Sequence, residues 1–280
     1  MKAILFSILF TFSVSGQLSA QSSILLMSYN IRYDITTSNA SPWTERHEAI
    51  SAQITNHHVD IAGLQEVLVH QRDQLLKDLP EFESIGLGRD DGVNAGEFAP
   101  IFYKKARFTV LKSGTFWLSP TPEIPSKGWD AALNRICTYA EFIDRQSTDT
   151  FWVFNAHFDH VGEVARMKSV ELIMAKMKEM ETGKQKALIF CGDFNLNDDH
   201  PTIVFLQSQM KDALHVAKQV KTKMNRTFNN FDLKTPASKR IDYIFTNEKV
   251  SVQSFETIVE SFGVSYPSDH FPILTKLKIN

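Results

Sequence analysis

From Ser23 onward, short apolar runs of strand length alternate with amphipathic stretches. The runs at 24–30, 61–65, 98–103, 108–118, 136–143, 151–155, 187–191, 241–245 and 271–277 are dense in β-branched and aromatic residues, as half-buried and fully buried strands are. Helix signals fall between them. Ser41-Pro42 is a helix start, with Ile50 and Ile54 one turn apart, and 70–79 reads as a second helix. Over 162–180, Met167, Val170, Met174 and Met177 share one face, with Gly183 as the stop, and Asp199 with Pro201 opens a further helix. Many strands interleaved with a few helices predict an α/β fold of two packed sheets with helices outside. No linker, repeat or low-complexity tract interrupts the pattern, so a single domain is expected over 21–280.

Composition adds three constraints. A chain of 280 residues that is 43% apolar can fill one large core. The formal charge of −2 supplies no basic excess for long nucleic acids or anionic membranes, which favours small or single-stranded substrates. The opening Met1-Lys2, the apolar stretch 3–16 and Gln17-Leu18-Ser19-Ala20 have the three-part form of a secretory signal peptide ending at residue 20. Its apolar run is short for a membrane span, so an exported protein without stable membrane insertion is expected, periplasmic or fully secreted. Nothing in the pattern marks an obligate protein partner. Cys137 and Cys191 both sit inside apolar runs and read as buried free thiols rather than a disulfide.

The polar residues carry the chemistry, and they cluster just past the ends of buried strands, where loops on a rigid scaffold usually hold function. Six segments stand out: 28–32 (SYNIR), 64–67 (LQEV), 155–160 (NAHFDH), 192–195 (GDFN), 240–243 (RIDY) and 268–272 (SDHFP). Hard cations such as Mg²⁺ or Mn²⁺ take oxygen ligands and only one or two carboxylates, which suits Glu66 with help from Asp269 or Asn30. A zinc site is disfavoured, because no cysteine pair and no His-x-x-x-His helix is present. Asp193-x-Asn195 puts a carboxylate and an amide on one side of a strand end, so Asp193 is the predicted water-positioning residue. Asp242 is the predicted partner of His270, holding its tautomer and raising its pKa.

These six motifs, in this order over 24–277, resemble the endonuclease/exonuclease/phosphatase superfamily. The resemblance implies a four-layered α/β sandwich with two mostly antiparallel sheets and one Mg²⁺-dependent site. It implies Glu66 as principal metal ligand, Asn30 and Asp269 as its neighbours, His157 and Asn195 as phosphate contacts, Asp193 as the water-activating acid, and Asp242 with His270 as a carboxylate–imidazole pair. The stretch 155–166 is similar to secreted bacterial members and to deadenylase-like exonucleases, which adds Arg166 as a phosphate contact, with His160 and Arg46 as weaker candidates. Glu97 and Arg135 are candidates for a supporting layer. The DNA-penetrating loops of apurinic endonucleases, the disulfides of pancreatic-type deoxyribonucleases and the lysine-rich loop of inositol phosphatases have no counterpart here.

A metal-dependent hydrolase of a phosphodiester or phosphomonoester is therefore expected. Its substrate stays open among nucleic acid, nucleotide, inositol phosphate and a sphingomyelin-like lipid headgroup. A non-catalytic phospholigand-binding protein on the same scaffold is the alternative of another class. Trp43, Trp117, Trp129 and Trp152 are expected in the core, with Trp129-Asp130 also placed to line a cleft, and His57, His58, His70 and His200 are expected to face solvent.

Overall fold

The fold is described by a computed structural model covering residues 23–35, 41–181, 183, 185–222, 224–235, 237–263 and 265–280. The predicted leader at 1–20 falls outside them. In chain order the elements are β1 (Ile24–Asn30), α1 (Trp43–Asn56), β2 (Ile61–Gln65), α2 (Val69–Asp78), β3 (Phe82–Ile85), β4 (Ile101–Lys104), β5 (Phe108–Trp117), β6 (Ile136–Asp144), β7 (Thr150–His157), α3 (Glu163–Met180), β8 (Ala187–Asp193), α4 (Pro201–Gln209), β9 (Lys211–Asp212), α5 (Ala213–Val216), β10 (Gln219–Val220), β11 (Asp242–Thr246), β12 (Val250–Thr257) and β13 (Ile273–Ile279). Among the described residues they form a seven-stranded sheet, β10-β12-β13-β1-β2-β4-β3, and a six-stranded sheet, β5-β6-β7-β8-β11-β9. Pairing is antiparallel except at β1–β2, β10–β12 and β7–β8. No helix among the described residues is long and apolar enough to cross a membrane.

The layers follow from the two-residue alternation of strand side chains. Ile24 and Leu26 of β1 and Ile61 of β2 face Val153 of β7, Ile189 and Cys191 of β8 and Ile244 of β11 across the space between the sheets. Met27, Tyr29, Ala62 and Leu64 point the other way and pack on Ile50 and Ile54 of α1 and Leu75 of α2. On the far side, Trp152, Phe154, Phe190 and Phe245 pack on Val170, Ile173 and Met177 of α3 and on Ile203 and Leu206 of α4. The result is the expected helix–sheet–sheet–helix sandwich. Each of these fully buried aliphatic or aromatic side chains contributes about 1.5–3 kcal/mol relative to exposure, so the three apolar layers hold the sheets and helices together.

Several local expectations need correction. β12 was not predicted, although Val250, Val252 and Phe255 alternate; a register shift between Val252 and Ser254 breaks the period. The buried face of α3 runs through Val170, Ile173 and Met177, while Met167 and Met174 are half-buried. At α4 the N-cap is His200, whose Nδ1 accepts the Thr202 N–H at 3.2 Å, with Pro201 at the first helical position. Trp43, Trp117 and Trp152 are buried as expected, and Trp129 is half-buried.

Two close approaches pin the sheets together beneath the polar end. A Cβ on Gly63 would lie 2.5 Å from Cys191 Sγ and 2.9 Å from Asn155 Cγ, so glycine is required for β2 to meet β7 and β8. Beside it Asn155 donates to the carbonyls of Leu64 and Pro100, at 2.8 and 2.9 Å, and accepts from Gln65 Nε2 at 2.7 Å. Cys137 and Cys191 are free and buried, and they lie on opposite faces of the six-stranded sheet, in different apolar layers. No rotamer can pair them. A thiol reagent added to the native protein is expected to find neither cysteine and, after denaturation without reductant, to titrate both; a single unreactive pair would overturn this placement.

Candidate active site

The inner faces of the central strands are apolar along most of their length and turn polar at one end. Ser28 and Asn30 follow Ile24 and Leu26 on β1, Asn155 and His157 follow Phe151 and Val153 on β7, and Asp193 follows Ile189 and Cys191 on β8. Parallel pairing sets Asn30 beside Gln65 and His157 beside Asp193, while antiparallel pairing sets Asp242 beside Asp193. Asp269 and His270 enter the same end from the segment before β13. Glu66 and Asn195 turn into it through left-handed backbone, with φ of 60° and 52°. Such non-glycine positions cost on the order of 1–3 kcal/mol and persist where the surroundings over-determine them. For Asn195 the anchor is the buried ring of Phe194, stacked 4.6 Å from Phe158 and 5.4 Å from Tyr243.

Asp193 sits at the centre. Its Oδ2 accepts the amide of Asn30 at 2.9 Å, and its Oδ1 accepts the Asn195 backbone N–H at 2.9 Å. An imidazole stands on either side, His157 Nε2 and His270 Nε2 each 3.7 Å from Oδ2. Beyond each ring is a further carboxylate: Asp242 Oδ2 is 2.9 Å from His270 Nδ1, and Glu97 Oε2 is 3.6 Å from His157 Nδ1. The row reads Glu97, His157, Asp193, His270, Asp242.

The two rings differ in charge. Burial disfavours an imidazolium at His270, but Asp242 and Asp193 outweigh it and push the pKa up to about 10. At His157 burial and the neighbouring Arg135 hold the pKa down to about 3, so that ring is neutral. Asn195 Nδ2 donates to the Phe158 carbonyl at 3.0 Å and points at His157 Nε2 at 3.1 Å, which leaves the proton of His157 on Nδ1, facing Glu97. Asp193 is raised above the usual carboxylate range by burial and by Asp242, against the pull of the two histidines. A carboxylate of raised basicity is suited to take a proton from water.

Glu66 and Asp269 form a second acidic pair beside this row. The Oε2 of Glu66 accepts the Tyr33 N–H at 3.1 Å. Burial and Glu97 oppose charge on Glu66, yet its pKa is lowered, by His157 when that ring carries a proton and by Arg32 and the Asn30 amide. Asp269 is raised by burial and by Glu66, opposed by His270 and Arg32. Asn30 lies beside Glu66, as expected, and reaches it through its amide nitrogen. Its Oδ1 accepts the Arg32 N–H at 3.0 Å, which turns its Nδ2 toward Glu66 Oε1 at 3.0 Å and Asp193 at 2.9 Å. This N–H donor links the two carboxylates.

These groups floor a cleft of about 680 Å³ whose walls include Arg32, Arg89, Arg135, His160 and Lys239, with Phe228 set edge-on to His270 at 5.3 Å. His160 is therefore where a phosphate contact is expected, its Nδ1 3.1 Å from Arg135 Nη2. Arg46 and Arg166 are not. The guanidinium of Arg46 is spent beneath the floor on the carbonyls of Ser41, Ile31, Pro267 and Arg32, at 2.7 to 3.0 Å. Arg166 is buried in the first turn of α3, donating to the Asp159 carbonyl at 3.1 Å. The Trp129-Asp130 pair does not line the cleft either; Asp130 caps α3 through the N–H groups of Val164 and Ala165, at 3.2 and 2.7 Å. Arg32, Arg89, Lys239 and Phe228 were missed. Arg32 alone had a local signal, two residues past Asn30 in the first motif.

The family model described as Endonuclease/Exonuclease/phosphatase family matches residues 27–270. The chain belongs to this family. Solved relatives agree over nearly the whole length. A family member from Bacteroides vulgatus is 39% identical, covering 92% of this chain and 100% of that one, with a TM-score of 0.87. A mannosyl-6-phosphatase from Bacteroides thetaiotaomicron is 36% identical, covering 91% and 99%, with a TM-score of 0.88. An uncharacterised protein of Acanthamoeba polyphaga mimivirus is 27% identical over 250 residues, 83% of this chain and 91% of its own. Members of the family hydrolyse phosphoesters, and Asp193, Asp242 and His270 here place one possible metal-ligand atom each within 4.8 Å of the others. Within that trio His270 Nδ1 is already hydrogen-bonded to Asp242 Oδ2 at 2.9 Å. The all-oxygen pair Glu66 and Asp269 fits a hard cation better.

Proposed function

We propose that this protein is an exported, divalent-metal-dependent phosphoesterase that hydrolyses the phosphomonoester of a sugar-sized alcohol. The observation that carries the reading is the row of carboxylates and imidazoles centred on Asp193, flanked by Glu66 and Asp269. In this assignment Glu66 and Asp269 hold Mg²⁺ or Mn²⁺, which when bound neutralises charge on the phosphoryl oxygens. Asp193 orients and deprotonates the attacking water, and the Asn30 amide fixes its carboxylate. His270, kept as an imidazolium by Asp242, donates to a phosphoryl oxygen on which charge develops. Asn195 and His157 line the same cleft, and as phosphate contacts they exchange their present hydrogen bond for one from the freed Asn195 N–H to a phosphoryl oxygen. The guanidiniums of Arg89 and Arg135 supply positive charge on the opposite wall, suited to a dianionic monoester.

The monoester is favoured by the size of the cleft, by the absence of a basic excess in the chain, and by a relative named as a mannosyl-6-phosphatase. The leader pattern at 1–20 supports export. The mature chain should be assayed with Mg²⁺, Mn²⁺ or EDTA on mannose 6-phosphate, other hexose phosphates, nucleotides, inositol phosphates, sphingomyelin and single-stranded DNA and RNA. Turnover of a sugar monoester is expected, abolished by EDTA, with kcat/KM falling at least about 100-fold in Glu66→Gln. Turnover confined to nucleic acid or lipid would replace the substrate class. Silence on every substrate would favour the non-catalytic binding protein.

A further inference from the structure

The Glu66–Asp269 pair already has a cation of the chain's own. Arg32 Nη1 lies 3.4 Å from Glu66 Oε2, and Arg32 Nε lies 3.6 Å from Asp269 Oδ2. The two carboxylates raise the pKa of this guanidinium against the effect of its burial. Both contacts are long beside the ~2.7–2.9 Å of a well-made charge-assisted hydrogen bond, so the arginine is held mainly by charge and not by a directional lock. Its backbone is fixed independently, with φ of 59° and its N–H on Asn30 Oδ1 at 3.0 Å. The side chain is 27% exposed, lines the cleft and stacks 4.6 Å over the Tyr33 ring, which gives it somewhere to stand when it leaves the acids.

We propose that Arg32 is an internal counter-ion for the metal site: its guanidinium and the divalent cation compete for Glu66 Oε2 and Asp269 Oδ2, and this competition sets metal affinity. The inference rests on the assignment of these two carboxylates as metal ligands. Two like charges facing one position repel unless something positive lies between them. The guanidinium does this at long range with one charge. A divalent ion does it with two charges at oxygen distances of about 2.0–2.1 Å, but it must first displace the arginine. Wild-type affinity is thereby reduced by the strength of the Arg32 contacts. The displaced guanidinium remains in the cleft, on the side from which a phosphate dianion would approach.

Mg²⁺ and Mn²⁺ should be titrated calorimetrically into the metal-stripped full chain, as wild type, Arg32→Gln, Arg32→Lys and Glu66→Gln, with circular dichroism confirming that each is folded. Arg32→Gln is expected to bind both ions about tenfold or more tightly than wild type, with Arg32→Lys between them, since a point charge cannot span both acids. In ¹⁵N spectra the Arg32 Nε–H signal, identified by its loss in Arg32→Gln, should shift on saturation with diamagnetic Mg²⁺. Equal or weaker binding in Arg32→Gln, or an unmoved Nε–H signal at saturation, overturns the role of Arg32 and leaves the metal assignment standing. Wild-type affinity that survives in Glu66→Gln, or no binding in any variant, brings down the metal assignment and the inference with it.

Discussion

Asp193→Asn is expected to lower kcat on the natural phosphoester by about 10²–10⁴-fold, with KM changed little. Asparagine keeps the shape and can still accept at Oδ1 from the Asn195 N–H, but it cannot take a proton from water. The protein should stay folded, because loss of the Asn30 hydrogen bond to Oδ2 is offset by removal of a buried negative charge that Asp242 disfavours. The measurement is steady-state kinetics beside a thermal melt. A variant that retains more than about one tenth of wild-type kcat would place the base elsewhere in the row, since general-base catalysis contributes at least ~10². Equal melting temperatures would show that the loss is chemical.

The largest effect on stability is expected at Arg240→Ala. Arg240 donates from Nη1 and Nη2 to the two oxygens of Asp212, at 2.8 and 2.6 Å, with both side chains almost fully buried. Its guanidinium also stacks 4.3 Å from the Tyr243 ring, whose hydroxyl donates to the carbonyls of Leu196 and Arg240. Truncation strands Asp212 as a buried charge without its ion-pair partner, at a cost of about 3–5 kcal/mol. For a chain of this size that corresponds to a fall of roughly 10 °C in Tm. Restoring neutrality in Arg240→Ala/Asp212→Ala should recover part of the loss, a non-additivity that urea unfolding would read directly. A single-variant cost below about 1 kcal/mol would mean that water reaches Asp212 and that the pair behaves as an exposed one. Because Arg240 leads into Asp242, some loss of activity through His270 should accompany the destabilisation.

Much of this site was legible because strand geometry is local. A period of two assigns Asn30, Gln65, Asn155, His157, Asp193 and Asp242 to faces without knowledge of any partner strand. The change from apolar to polar at the end of each run then marks where the faces open to solvent. The pairing of Asp242 with His270 and the burial of both cysteines followed from the same reading, and the structure places them so. The failures are of one kind. The family resemblance over 155–166 implies Arg166 as a phosphate contact, with Arg46 as a weaker candidate. Both guanidiniums instead meet backbone carbonyls, five of them for Arg46, supplied by segments as distant in the chain as Pro267. No local pattern reveals which carbonyls will surround a flexible side chain.

The charge states divide in the same way. His157 and His270 are chemically identical in the chain, yet one is held neutral by burial beside Arg135 and the other is charged between Asp242 and Asp193. The direction of the Asn30 amide is likewise set by the Arg32 N–H on its Oδ1. Alternation, strand length and motif order are properties of neighbouring residues, so fold class, layer assignment and the membership of the site could be read from the chain. Strand order, the direction in which each donor points, the protonation of each imidazole and the choice among the arginines depend on groups brought together from remote positions. Only the folded chain sets those, because electrostatic and hydrogen-bond energies depend on separations of a few ångströms that sequence distance does not encode.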